Sequence, residues 1–98
     1  MDIDEIVILA ELQLRIDRYE LPADCEAFDR GMAQLQLGDG ALLSVAAKLL
    51  GGKRYAVTTD NPETVRRALA TARHVGGTAE VQEDGRFTHL LFSPPAVQ

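Results

Sequence analysis

The sequence predicts an α+β domain: three N-terminal helices, then a β-α-β-β unit whose strands form a small three-stranded mixed sheet with helices packed on it. Three observations carry that prediction. Val65, Ala68, Leu69, Ala72 and Val75 form one apolar stripe at helical spacing across residues 62–75. Gly-Gly pairs at 51–52 and 76–77 each end a helical pattern and lead into an apolar strand pattern. Asp84-Gly85, between two strand-like runs, has the composition of a two-residue hairpin turn.

Asp2, with Glu5 three residues later, has capping-box spacing and opens a helix over residues 3–19, dense in Ile, Leu and Val. A strand is the competing reading, because Leu12, Leu14 and Ile16 alternate with polar residues. Leu21-Pro22 breaks this segment. Asp24 can cap a second helix, with Ala27, Phe28, Gly31, Met32 and Leu35 at helical spacing. Asp39 can cap a third over 41–50, apolar around most of its circumference and therefore interior.

Strands follow at 53–59 and 78–83, joined by the 62–75 helix, which predicts that they run parallel. Counting from an Asp84-Gly85 turn places Glu83 opposite Arg86, Val81 opposite Thr88 and Glu80 opposite His89. The last strand looks buried on both faces at its distal end, which puts it in the middle of the sheet. With 98 residues the chain reads as a single domain: 1–50 mainly helical, 51–93 the β-α-β-β unit, and 94–98 a frayed tail.

Composition narrows the function classes. The longest aliphatic run, residues 6–10, is far shorter than the roughly 20 residues of a membrane-spanning helix, so no membrane partner is expected. Acidic Asp2, Asp4 and Glu5 at the start do not resemble a signal or transit sequence, which places the chain in the cytoplasm. Arg in excess of Lys, with frequent Ala, points to a bacterial or phage gene. The lone Cys25 has no partner for an internal disulfide and no Cys/His cluster for zinc.

The net charge of −5 is unevenly divided. Residues 1–40 hold ten acids and three bases, a net of −7, whereas 41–98 hold five acids and seven bases, a net of +2. Such an acidic first part disfavours nucleic acid and suits another protein, or a second copy of the chain. Lys53, Arg54, Arg66, Arg67, Arg73 and His74 read as a solvated basic face. No small-molecule cofactor is evident.

The N-terminal segment carries the leading functional expectation. As a helix, residues 3–19 hold more apolar side chains than one small sheet can cover, so Ile6, Leu9, Leu12 and Ile16 are expected to meet a partner. The result is an interaction or regulatory module with an apolar, acid-rimmed surface, self-associating as a homodimer. As an internal strand, the same segment would bury both faces without a partner.

A second expectation comes from residues 55–64, YAVTTDNPET, where a strand breaks into a helix with Asp60 and Glu63 beside its N-terminus. The glycines of a phosphate loop are missing, and the local acids repel phosphate; they suit a helix cap, or a hard divalent cation. Residues 37–61, with Asp39 opening a helix and a strand ending Thr58-Thr59-Asp60, resemble the later half of PIN-domain ribonucleases. That resemblance implies that Asp39 and Asp60 hold magnesium or manganese for RNA cleavage. It does not extend to the first half, where a PIN-domain strand runs into an Asp and residues 6–10 here run into Glu11.

Overall fold

Local signals set most element boundaries in the computed structural model, which describes residues 1–96. Its elements are α1 (Ile3–Asp17), α2 (Glu26–Ala33), α3 (Asp39–Leu50), β1 (Tyr55–Thr59), α4 (Pro62–His74), β2 (Thr78–Asp84) and β3 (Phe87–Ser93). The α+β class and the helices packed on the sheet agree with the sequence prediction. Of the tail expected to fray, Pro94 is half-buried and Pro95 lies beside Gly76, while residues 97–98 lie outside the described residues. No described helix is long and apolar enough to cross a membrane.

The helical reading of the N-terminal segment prevails over the strand. Asp2 caps α1, its carboxylate accepting the Glu5 backbone N–H at 2.8 Å. Ile6, Val7 and Ala10 then fall on one face, a spacing that a helix satisfies and a strand does not. They join Leu42, Val45, Ala46 and Leu49 of α3, Ala68 and Ala72 of α4, and Leu90 and Phe92 of β3 in one buried cluster. At roughly 1.5–3 kcal/mol per fully buried large apolar side chain, this cluster is the main source of stability.

The same C-terminal cap closes three helices. In α3, the Lys53 N–H reaches the Lys48 carbonyl at 2.9 Å and the Gly52 N–H reaches Leu49 at 3.0 Å; in α4, Gly77 and Gly76 repeat the pattern onto Ala72 and Arg73. Each turn places its C′ residue at positive φ, +77° at Gly52 and +79° at Gly76. In α1 the position is occupied by Tyr19 at φ 60°, although a Cβ is disfavoured there. Two start signals differ from expectation. Helix α2 follows a turn in which the Cys25 N–H bonds to the Pro22 carbonyl, so Cys25 replaces Asp24 at the cap. Asp39 is the first residue of α3, with Gly38 at the cap.

The sheet has the order β1-β3-β2, so the last strand is central. Both of its ladders are antiparallel, and the expected mixed sheet is corrected accordingly. β1 and β2 point the same way but do not touch. The hairpin register also differs: Asp84 pairs with Phe87, Glu83 with Thr88, Gln82 with His89 and Val81 with Leu90. Gly85-Arg86, not Asp84-Gly85, forms the turn, with Gly85 at φ 62° in its first position. Each strand residue therefore moves two places along its partner and keeps its face, because side-chain orientation has period two.

Helices α3 and α4 cover one face of the sheet, and α1 packs on both of them. Leu90 and Phe92 point into this layer and are buried, whereas Leu91 faces the uncovered side and is exposed. The expectation that the distal end of β3 is buried on both faces is thus corrected. Among the elements, α2 packs on α1 alone, and none of its residues is buried.

Candidate functional site

Three regions were singled out by the sequence: the acids at 39 and 60, the apolar residues of α1, and the pair at 80 and 89. The folded chain treats them differently.

Asp39 is buried, and its carboxylate is already engaged. Oδ2 accepts the Gln36 backbone N–H at 2.9 Å and lies 3.6 Å from the α-amino group of Met1; Oδ1 accepts Arg67 Nη1 at 3.0 Å. The second guanidinium nitrogen of Arg67 donates to the Met1 carbonyl at 2.7 Å, tying the start of α1, the start of α3 and the middle of α4 together. Burial alone would raise the Asp39 pKa. The Gln36 N–H, the Arg67 hydrogen bond, the α-amino charge and the Arg67 charge outweigh it and hold the carboxyl below its ordinary value.

The YAVTTDNPET junction is a helix cap built from Asn61. Asn61 Oδ1 accepts the Glu63 N–H at 2.9 Å, and its own N–H donates to Thr59 Oγ1 at 3.1 Å. Pro62 occupies the first turn of α4, where its missing N–H costs nothing. Asp60 points to solvent. A cleft of about 290 Å³, lined in part by Gly38, Thr59, Asn61 and Arg67, brings the starts of α3 and α4 together, but Asp60 does not line it.

This arrangement does not fit the metal expected at Asp39 and Asp60. A divalent cation needs free carboxylate oxygens, and those of Asp39 serve two cationic groups and a backbone donor. Among the described residues no group of three or more His, Cys, Asp or Glu side chains is placed to hold a metal ion. Arg67, read from the sequence as part of a solvated basic face, is instead the chief partner of Asp39. The two are 28 positions apart in sequence, so no local spacing signals this pair.

The α1 residues divide by face. Ile6 lies in the core, and Leu9 is buried where Gly31 brings α2 close: a Cβ on Gly31 would sit 2.6 Å from Leu9 Cδ1. Expected to meet a partner, both are buried in the folded chain, Ile6 within the core and Leu9 at the wall of the groove between α1 and α2. Leu12 and Ile16 are half-buried. Ile8, four residues before Leu12, is 57% exposed and completes an i, i+4, i+8 stripe with them. A groove of about 240 Å³ runs between α1 and α2, with Ile8, Leu9, Leu12 and Ala27 as its apolar lining and Glu5 and Arg30 as its charged groups. Met32 and Leu37 are also exposed in this half of the chain.

Glu80 and His89 do not meet as a cross-strand pair, because the two-place shift puts Gln82 opposite His89 and Glu80 opposite Leu91. His89 Nδ1 lies 2.8 Å from Thr58 Oγ1, and Nε2 is 3.8 Å from Asp84 Oδ2. Cys25 is a half-buried free thiol. No known family model, curated protein or solved structure matches the chain.

Proposed function

We propose that the chain is a protein-interaction module, regulatory in the sense that it acts by occupying a partner. Its working surface is the outer face of α1 with the adjoining α1–α2 groove. The exposure of Ile8 carries this reading, because it aligns with Leu12 and Ile16 in an apolar stripe beside a groove of matching chemistry. Glu5 and Glu11 are exposed on the same helix, and residues 1–40 carry a net charge of −7. The surface therefore suits a protein segment that presents an apolar anchor among Lys and Arg side chains: the anchor supplies burial, and the charges supply steering.

The test begins with co-purification from the native host and continues with the purified partner. Ile8→Glu, at an exposed residue outside the buried cluster, should weaken binding about tenfold or more. Raised salt should slow association. Unchanged affinity in Ile8→Glu, in a variant that melts like the parent, would overturn the reading.

A further inference from the structure

We infer that β2 is the dimerisation edge: two copies join β2 to β2 antiparallel about a twofold axis at Val81, making one continuous six-stranded sheet. Strand β2 is a sheet edge of seven residues, exposed at every position except half-buried Ala79. No described element lies along its outer side. Val81 pairs with buried Leu90 and so stands on the helix-covered face of the sheet, yet it is 52% exposed.

Backbone alternation determines which residues are free to pair. The two-residue turn makes Asp84 and Phe87 a hydrogen-bonded pair, so Gln82, Glu80 and Thr78 also direct their N–H and C=O groups toward β3. Ala79, Val81 and Glu83 direct theirs outward. A symmetric antiparallel partner must match outward residues with outward residues. Three registers centred near the middle of the strand satisfy this rule, with Glu80, Val81 or Gln82 opposite its own copy.

Charge separates the three. A centre at Glu80 sets the two Glu80 carboxylates face to face, and a centre at Gln82 sets Glu80 against Asp84 of the other copy. Both put like charges directly opposite, which is destabilising. The Val81 centre pairs Glu80 with Gln82, Ala79 with Glu83 and Thr78 with Asp84, so no carboxylate stands directly opposite another, and Glu80 meets Glu80 and Asp84 of the other copy only on the diagonal. It joins two exposed valines and forms about six backbone hydrogen bonds across the axis. Acidic side chains on an edge usually prevent pairing; on this strand they select one register.

Symmetry also favours β2 over the other edge. Strand β1 has five residues and turns only Ala56 and Thr58 outward, and a β1-to-β2 contact is head-to-tail and does not close at two copies. The β2 pairing closes at two copies. It is independent of the helical surface proposed above, which lies on α1 and α2.

Sedimentation and cross-linking test the assignment. The parent should sediment as a dimer at submillimolar concentration, and Ile8→Glu should leave that state unchanged while impairing partner binding. Val81→Pro removes an outward N–H that the β2–β3 ladder does not use, so it should raise the dimer dissociation constant about tenfold or more while the monomer stays folded. In a Cys25→Ser background, Val81→Cys should form an intermolecular disulfide, because facing residues of a hydrogen-bonded pair lie about 5.5 Å apart at Cα. Thr78→Cys should not. A monomeric parent, a dimer indifferent to Val81→Pro, or preferential cross-linking through Glu80→Cys or Gln82→Cys would each overturn the proposal.

Discussion

Arg67 donates to Asp39 at 3.0 Å across 28 positions of sequence, and the buried carboxylate has no other side-chain partner among the described residues. Removing either member leaves the other inadequately paired in a poorly solvated place. Asp39→Asn and Arg67→Met should each lower unfolding stability by about 3 kcal/mol. The double variant should lose less than the sum of the two. Urea unfolding of the four proteins measures the coupling, and additivity would show that the two groups act separately.

The same carboxylate makes stability depend on acid. The pKa of Asp39 is lower in the folded chain than the ordinary value of about 3.9 expected when unfolded. The unfolded state thus binds the proton more tightly, and the contribution is complete above the unfolded pKa. It is lost as pH falls below about 4 and through the folded pKa. Unfolding midpoints should drop over that range in the parent, and the drop should be smaller in Asp39→Asn.

Tyr19 offers an opposite effect. Its φ of 60° and 96% exposure mean that the ring contributes little packing while its Cβ strains the α1 cap. Tyr19→Gly should stabilise the fold by about 1 kcal/mol, read as a higher urea midpoint at constant slope. A lower midpoint would show that the ring makes a compensating contact.

Magnesium or manganese at millimolar concentration should leave the melting temperature unchanged, because Arg67 and the α-amino group already neutralise Asp39. A rise abolished by Asp39→Asn together with Asp60→Asn would restore the metal reading.

What the sequence revealed was local. The α4 stripe, the Asp2 cap and the repeated Gly-Gly cap are short-range patterns, and each appears where expected. The central place of β3 was expected from burial on both faces; the place is right but that reason is not, because Leu90 and Phe92 are buried while Leu91 is exposed. Hairpin register was less so: Glu-Asp-Gly-Arg-Phe permits either Asp-Gly or Gly-Arg at the turn, and both put the same side chains in the core. Long-range partners left no local signal. An apolar helix surface shows that Leu9 needs cover but does not show that α2 supplies it, and Arg67 among other basic residues gives no hint of Asp39.

The placement of α2 has a dynamic consequence. Since it rests on α1 alone and buries none of its own residues, detaching it leaves the cluster around Ile6, Leu49 and Phe92 intact. That opening requires far less free energy than global unfolding, so α2 amides should exchange with solvent ahead of those in α3 and α4. Each such excursion uncovers Leu9. The side chain hidden in the resting fold is therefore intermittently presented beside Ile8 and Leu12.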